Sequence, residues 1–390
     1  MRGIRIGSAF GIPIRLNWTF LLILPFFAWV IGAAVVDITE VLNLTFGTQI
    51  DPEPLTEGFT PWIVGLTAAL GLFFGVLLHE FGHSLVALRY DLEIESITLW
   101  LLGGVASFKE MPEEWKQELN IAIAGPIVSV LVGVVCYVGF VLTPSGYDMA
   151  LFVLGYLAVL NVVLAAFNML PGFPMDGGRV LRALLARNRP HAQATQQAAE
   201  VGKIFAFLLG LLGLLSLSII LILLAFFIYI AASGEAQQST LKAAFQDVTV
   251  EDIMTPREEL RTIEDDTTVA ALMNRMFRER HTGYPVVDRG QLVGMVTLDD
   301  ARGVREVERD AYLVSEIMTR DVKSVTPDTD AIEALRTMQE HDVGRLPVID
   351  ANGDLTGIVS RSDLMTAFNI IQSGGAPMGL RRDGSIPTIR

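Results

Sequence analysis

Long apolar runs separated by short polar segments occupy residues 17–232 of this 390-residue chain. A helix needs about 20 apolar residues to cross a bilayer, and each run reaches that length. The last run is too long for one perpendicular span, and glycine and serine residues interrupt it between Gly210 and Ser218, so it predicts two helices joined by a tight turn. The pattern therefore predicts a polytopic α-helical membrane protein of about six transmembrane helices. The runs cover residues 17–36, 61–88, 119–142, 147–170 and 198–232.

The starts of the first two runs carry further information. Arg2, Arg5 and Arg15 precede the first run, as basic residues precede a signal peptide. This run is too long for a signal peptide and lacks a small-residue cleavage pattern, so we predict a span that is retained. The second run begins with Thr60 and Pro61, which predicts Thr60 as a helix N-cap and Pro61 as the first helical residue.

Residues 94–108 form a shorter segment that is rich in β-branched and aromatic residues, with Gly103 and Gly104 as a turn. Since it is too short to cross the bilayer as a helix, it predicts a short re-entrant β hairpin. Such a hairpin is tolerated at membrane depth only where it lines a cavity or packs on protein. Its free edge is able to hold a peptide in extended form through main-chain hydrogen bonds. A structural hairpin that covers the interface explains the pattern equally well.

Charge limits the partners and sets the orientation. The formal net charge of −14 argues against nucleic acid as a partner, because a domain that binds it shows a basic patch. The single cysteine, Cys136, excludes a disulfide framework and a thiolate metal cluster. Arginines and lysines concentrate in the loops on one side of a six-helix arrangement. By the positive-inside rule, we predict a multi-pass protein of the cell membrane whose N- and C-termini are cytoplasmic.

The sequence His79-Glu80-Phe81-Gly82-His83 lies inside the second apolar run. Positions i and i+4 share one face of a helix, so both imidazoles are able to bind one metal ion while Glu80 reaches a water molecule beside it. Ionisable residues in a membrane segment are costly unless they serve a function. Hydrogen bonds from two histidines to neighbouring helices are the less informative interpretation.

A catalytic zinc ion normally takes three protein ligands. Asp176 is one candidate for the third, because Pro171 and Pro174 break the preceding helix and the glycines after it allow a close backbone approach. Asp176 is an equally good N-cap for the helix that follows. His191 is the other candidate, and we expect its side chain to be solvated.

These motifs resemble the site-2 protease family of intramembrane zinc metalloproteases, also called peptidase family M50. The residues that carry the resemblance are the His79–His83 motif, the glycine-containing hairpin, Ala124-Gly125-Pro126, and the segment from Asn168 to Gly178. The resemblance implies that one Zn²⁺ per chain is held by His79, His83 and Asp176. It also implies that Glu80 is the general base and that Asn168 orients the substrate or stabilises the oxyanion. The expected substrate is a membrane-anchored protein that is cleaved in regulated intramembrane proteolysis.

A repeat of about 63 residues follows the apolar region. Asp252-Ile-Met-Thr matches Glu316-Ile-Met-Thr, and two later segments, ending at Asp300 and Asp363, also match. The copies resemble a pair of CBS domains, an α+β module. We therefore predict a protease domain at 1–233, a linker at 234–247, a cytoplasmic CBS pair at 248–307 and 312–370, and a disordered tail at 371–390.

The CBS resemblance implies an adenine nucleotide, ATP, ADP or AMP, as ligand. By motif position, a hydroxyl and a carboxylate from each repeat would contact its phosphate and ribose, namely Thr297 with Asp300 and Ser360 with Asp363. The alternative is a module that only forms a homodimer. At the level of the whole chain, the alternative function is a transporter or channel regulated by the CBS pair. That function predicts polar residues along several helices, whereas here they concentrate near residues 79–83 and 168–178.

Overall fold

The computed structural model describes residues 3–100, 103–108, 112 and 114–373. The chain divides into two compact units between Ser239 and Thr240. Residues 234–244, which we predict as a linker, are helical. Of the predicted tail, residues 374–390 lie outside the described residues, and 371–372 end a helix.

The first unit is mainly helical. Its strands are β1 (Ile4–Ala9), β2 (Ile12–Leu16), β3 (Ile94–Trp100) and β4 (Gly103–Phe108). Its helices are α1 (Trp18–Ala33), α2 (Val35–Phe46), α3 (Glu53–Thr56), α4 (Thr60–Leu88), α5 (Trp115–Leu142), α6 (Asp148–Asn168), α7 (Asp176–Ala186), α8 (His191–Leu215) and α9 (Ile219–Ala244). Residues 240–244 of α9 belong to the second unit.

Within the described ranges, α4, α5, α6, α8 and α9 are each long and apolar enough to cross a membrane. The final apolar run forms two helices, α8 and α9, which are separated by residues 216–218. The first run is not one straight helix, because α1 and α2 are bent by 67°. Beyond the bend the sequence becomes amphipathic, and Val35, Thr39 and Leu42 form the buried face of α2. One apolar face favours a helix that lies on the bundle rather than one surrounded by lipid.

Small residues bring α4 close to its neighbours. Gly65 lies against the main-chain carbonyl of Ala28 in α1, and a Cβ at Gly82 would stand 2.8 Å from the carbonyl oxygen of Ala124 in α5. Close approach through small residues is the usual way in which membrane helices gain packing energy. The predicted N-cap at Thr60 is wrong: Thr60 is the first helical residue, and Phe59 occupies the cap without a side-chain hydrogen bond.

A sheet with the strand order β1-β2-β3-β4 packs against α4. The apolar pattern did not predict β1 and β2, which form an antiparallel pair and join β3 through parallel pairing with β2. Strands β3 and β4 pair antiparallel, with Trp100 opposite Gly103. The two glycines predicted as the turn begin β4 instead, and residues 101–102 are outside the described part of the chain. Entry of this hairpin into the membrane stays a prediction.

The second unit contains the repeat. Its strands are β5 (Thr255–Pro256), β6 (Ile263–Glu264), β7 (Gly283–Asp288), β8 (Gln291–Thr297), β9 (Arg345–Ile349) and β10 (Leu355–Ser360). Its helices are α10 (Val269–Glu279), α11 (Leu298–Arg302), α12 (Val314–Ile317), α13 (Ala331–Glu340) and α14 (Arg361–Gln372). The strands form two sheets with the orders β5-β10-β9 and β6-β7-β8.

The two repeats exchange their first segments. Strand β5 of the first repeat pairs with β10 of the second, and Thr319 of the second repeat pairs with Met295 of β8 in the first. Val248 and Val250 accordingly belong to the core of the second repeat, whereas Val314 belongs to that of the first. The two repeats therefore form one interlocked module, in which the cores do not coincide with the sequence boundaries at 248–307 and 312–370.

Candidate metal centre

Helix α4 and the start of α7 bring three donor atoms together. His79 Nε2 lies 3.1 Å from His83 Nε2 and 3.1 Å from Asp176 Oδ2, and His83 Nε2 lies 3.2 Å from the same oxygen. The three residues are between 3% and 9% exposed. The sequence predicted the pairing of the histidines through their helical spacing, and the structure adds Asp176 from a distant segment.

This triangle fits a tetrahedral metal ion. With bonds of about 2.0–2.1 Å to nitrogen and oxygen, the ligands of a tetrahedral zinc site lie about 3.3 Å apart. His83 Nδ1 lies 2.7 Å from the carbonyl oxygen of Ile121, to which it is able only to donate, so a neutral His83 has a lone pair on Nε2. That lone pair faces the Asp176 oxygen. Two acceptors in this position are able to share one cation, and the donor set of two imidazoles and a carboxylate is one that Zn²⁺ accepts.

One face of α5 orients both imidazoles. His83 donates to the carbonyl of Ile121, and His79 Nδ1 lies 2.9 Å from Ser129 Oγ. Gly125 stands midway between Ile121 and Ser129 in the helix and lies directly against the rings of His79 and His83. Positions 121, 125 and 129 share a face because they are four residues apart. Partners that bind the second nitrogen of a ligating histidine set its tautomer and ring orientation.

Gly125→Ala is expected to weaken zinc binding by about tenfold or more, since orientation of the ligands controls affinity to this extent. A Cβ at Gly125 would clash with His83 and would stand 2.8 Å from His79 Nε2. Equilibrium competition with a zinc chelator measures the effect. Gly139→Ala is the matched control in the same helix, since its Cβ would make ordinary contacts of 3.5 Å with Leu154. Equal losses in both variants would contradict the orienting role of this face.

Asp176 enters the site because α7 begins there. Met175 occupies the N-cap and no side chain caps the helix, so the alternative interpretation of Asp176 as the N-cap is wrong. The next two residues must be glycines, because Gly177 packs against the carbonyls of Met169 and Leu170 and Gly178 packs against Gly172. The backbone approaches so closely here that any side chain would force α7, and Asp176 with it, out of place.

Glu80 is half-buried beside the donor triangle of His79, His83 and Asp176 and faces β4. Its Oε2 accepts a hydrogen bond of 3.1 Å from the main-chain N–H of Ala106, and a Cβ on Gly104 would stand 2.5 Å from its Cγ. The carboxylate is therefore held against an edge strand. The other predicted catalytic residue, Asn168, is the last residue of α6 and is half-buried. Among the described residues, no hydrogen bond joins Asn168 to His79, His83 or Asp176.

The predicted nucleotide residues cap helices in the CBS module. Asp300 Oδ2 accepts hydrogen bonds from the Thr297 N–H at 2.8 Å and from Thr297 Oγ1 at 2.7 Å. Asp363 Oδ2 accepts the same pair of bonds from Ser360, at 2.8 and 2.7 Å. Both sites are capping boxes, at the starts of α11 and α14. The equivalent geometry of the two copies confirms that the repeat in the sequence is a repeat in structure.

Arg345 connects the repeats and did not stand out in the sequence. Its Nη1 donates to the carbonyl of Gly283 at 2.6 Å, and its Nη2 donates to Thr282 Oγ1 at 3.0 Å. Burial lowers the pKa of Arg345, and attraction to the carboxylate of Asp363 opposes this shift. Arginine remains protonated in proteins even when it is buried. A fixed positive charge therefore stands near the capping carboxylate of the second repeat.

Comparison with known proteins identifies the class. A family model for peptidase family M50 matches residues 67–151 and 145–209, and one for the CBS domain matches residues 250–306 and 314–370. A zinc metalloprotease of Methanocaldococcus jannaschii is 36% identical over 372 residues, which are 95% of this chain and 97% of the relative. Fold and matches together define a multi-pass membrane metalloprotease with a CBS pair. The chain belongs to peptidase family M50, the site-2 protease family, as its motifs predicted.

Two solved structures are each similar to a different part of the chain. The site-2 protease from Methanocaldococcus jannaschii is 36% identical, with a TM-score of 0.42, and the match covers 60% of this chain and 95% of that structure. The CBS-pair protein CBSX2 from Arabidopsis thaliana is 30% identical, with a TM-score of 0.30, and covers 32% of this chain and 96% of that structure.

Proposed function

We propose that this metalloprotease is an intramembrane endopeptidase that cleaves membrane-anchored proteins within or near their transmembrane helices. The observation that carries the proposal is the triangle of His79, His83 and Asp176 donor atoms, with Glu80 on the same helix. His79, Glu80 and His83 lie in α4, which is long and apolar enough to cross a membrane, and Asp176 starts α7, which packs against α5 in the same bundle. A site built inside such a bundle meets peptide bonds that soluble proteases do not reach.

Each residue has a distinct role in the proposed reaction. His79, His83 and Asp176 would hold the zinc ion, which would supply a water of lowered pKa and a Lewis acid for the scissile carbonyl. Glu80 accepts the proton of the attacking water on its carboxylate and passes it to the departing amine. Asn168 is the candidate that orients the substrate or stabilises the oxyanion.

Buried polar side chains also occur elsewhere in the bundle, such as Asn161 in α6 and Thr195 in α8. Among the described residues, however, only His79, His83 and Asp176 bring three metal donors together, which favours the protease over the transporter or channel alternative.

The substrate must expose a peptide bond before the protease is able to cut it. Carbonyls of a transmembrane helix are hydrogen-bonded internally, so the substrate has to unwind locally. Strand β4 is the edge of its sheet and lies beside Glu80, which supports the role of this edge in holding an extended peptide. The loop charges favour cytoplasmic termini, and His79 and His83 lie towards the end of α4 that leads to a basic loop.

Metal dependence tests the proposal directly. The purified chain in detergent is expected to contain one zinc per chain and to cleave a single-span substrate in a reaction that a chelator stops and added Zn²⁺ restores. Mass spectrometry of the products locates the cut. A metal-free chain that cleaves, or a cut only in the soluble part of the substrate far from its transmembrane helix, would contradict the proposal.

We further propose that the CBS pair binds an adenine nucleotide and regulates the protease. Two equivalent capping boxes support this, because each carboxylate uses only Oδ2 for its cap. Among the described residues, the Oδ1 atoms of Asp300 and Asp363 accept no hydrogen bond, which leaves them available to ribose hydroxyls. The charge of Arg345 is suited to a phosphate.

Asp300→Ala and Asp363→Ala are each expected to weaken binding of ATP or AMP by about tenfold or more, because each removes a hydrogen bond to a charged group worth about 1.5–3 kcal/mol. Calorimetry on the full-length protein in detergent measures the affinity. Asp299→Ala removes an exposed charge from the same helix, α11, and is the control. Absence of heat with every adenine nucleotide, together with a stable dimer, would favour the dimerisation alternative.

A further inference from the structure

A buried ion pair joins two helices beside the metal centre. Arg182 of α7 is 4% exposed and Glu118 of α5 is 5% exposed. Arg182 donates to Glu118 Oε1 from Nε at 2.6 Å, and its Nη2 lies 2.5 Å from the same oxygen. No part of the proposed reaction uses this pair, and neither residue belongs to a motif found in the sequence.

The pair is the centre of a small charged network. Arg182 Nη1 lies 3.8 Å from Glu235 Oε2 of α9, and Glu118 Oε2 lies 3.6 Å from His191 Nε2 at the start of α8. The guanidinium also stands over the ring of Phe173, 4.9 Å from its centroid. One arginine thus contacts three separate segments of the chain.

Stability alone does not account for the pair. Removal of two charges from water costs several kcal/mol per ion, and replacement of a buried pair by apolar residues of similar volume is often neutral or stabilising. An apolar α5–α7 contact would therefore hold the bundle at least as well. A charged pair adds a fixed geometry, because the planar guanidinium donates its hydrogen bonds only in defined directions.

The fixed geometry of the ion pair matters because α5 and α7 both carry residues of the metal centre. Glu118 lies almost one turn before Ile121, whose carbonyl orients His83, on the helix that also carries Gly125 and Ser129. Arg182 lies less than two turns after Asp176. Its stacking on Phe173 holds the loop on the other side of Asp176 as well. The ion pair therefore links the helix that orients the imidazoles to the helix that supplies the carboxylate.

We propose that Arg182 and Glu118 are positioning residues that fix the separation of Asp176 from the two histidines and thereby set the zinc affinity of the site. The proposal rests on the proposed function, since it concerns the same metal centre. Loss of either partner leaves the other charge buried with only a more distant partner, Glu235 for Arg182 or His191 for Glu118, so α5 and α7 are expected to move relative to one another. The donor triangle then opens, although each of its members remains in the chain.

The test compares zinc affinity in purified full-length variants, with zinc alone as the probe and a chelator as competitor. Arg182→Met and Glu118→Gln are each expected to weaken zinc binding by about 10- to 100-fold. Arg189→Met, shortly after the same helix, removes an exposed arginine that bonds to Gln197 of α8 rather than to α5, and it is expected to bind zinc as the wild type does. The absorption spectrum of cobalt-loaded protein is expected to change in the first two variants, because it reports coordination geometry.

The double variant Glu118→Gln/Arg182→Met separates positioning from two independent effects. If the two residues act as a unit, its zinc affinity is expected to be no weaker than that of either single variant. If Arg182→Met does not fold, Arg182→Lys is used instead and is expected to bind zinc more weakly than the wild type, since an ammonium lacks the planar fork.

Wild-type zinc affinity and an unchanged cobalt spectrum in folded Arg182 and Glu118 variants would overturn the positioning role, even if their thermal stability falls. In that case the proposed function stands, provided that the wild type binds zinc and cleaves its substrate. A wild-type protein that binds no zinc overturns the proposed function itself.

Discussion

Glu80→Gln is expected to lower the rate of peptide cleavage by about 10²- to 10⁴-fold, the usual contribution of a general base. Glutamine has almost the same shape as glutamate, and its amide oxygen is still able to accept the hydrogen bond from Ala106 that holds the Glu80 carboxylate. The substitution therefore removes the proton acceptor and little else. The cleavage rate of a single-span substrate and the zinc content of the same preparation are the two measurements.

Zinc content decides what a loss of activity means. We expect Glu80→Gln to retain one zinc per chain, since Glu80 is not a member of the donor triangle. Glu95→Gln removes an exposed glutamate from β3 and is expected to cleave as the wild type does. Cleavage that survives Glu80→Gln would show that another residue accepts the proton.

Asp176→Ala is expected to weaken zinc binding by more than about 100-fold and to abolish cleavage, because removal of a ligand exceeds the effect of disturbing its neighbours. Asp176 Oδ2 lies within 3.2 Å of both His Nε2 atoms and is the only carboxylate oxygen of the metal-ligand group found among the described residues. Its side chain does not cap α7, so the helix start is expected to persist. Chelator competition measures the affinity.

A second variant controls for the position of the charge in the helix. Asp37→Ala removes an aspartate from the first turn of α2, where it is exposed, just as Asp176→Ala removes one from the first turn of α7. Any general effect of an acidic residue on a helix N-terminus appears in both variants. Zinc bound to Asp176→Ala with wild-type affinity would remove Asp176 from the ligand set and leave the chain without its third ligand.

The order of effects separates three levels of the site. Loss of Glu80 is expected to lower the cleavage rate without changing zinc affinity. Loss of Asp176 is expected to lower both. Loss of Arg182 is expected to lower zinc affinity although all three ligands remain. The CBS variants should change none of these in the absence of nucleotide. This pattern distinguishes a proton acceptor, a ligand and a positioning residue without reliance on activity alone.

Local spacing accounts for what was predictable. His79 and His83 face the same side of α4 because 3.6 residues make a turn, and this geometry does not depend on the rest of the protein. The break at residues 216–218 and the pairing of β3 with β4 follow equally from short-range pattern. The bend between α1 and α2 does not follow from mean hydropathy, because hydropathy averaged over a run carries no periodicity. The strands β1 and β2 do not stand out in the sequence, because they are short and precede the first apolar run.

The sequence by itself determined the apolar helices, the histidine pair with Glu80, the internal repeat and the family. Residue spacing left Asp176 and His191 open as the third donor, and the family resemblance implied Asp176. Only the tertiary structure placed them: Asp176 lies within 3.2 Å of both histidines, whereas His191 lies near Glu118. It also decided that one face of α5 orients the rings and that the repeats exchange strands. The physical reason is the range of the interactions. Contacts along one helix follow from backbone geometry, whereas a contact between residues 97 positions apart depends on how whole helices pack.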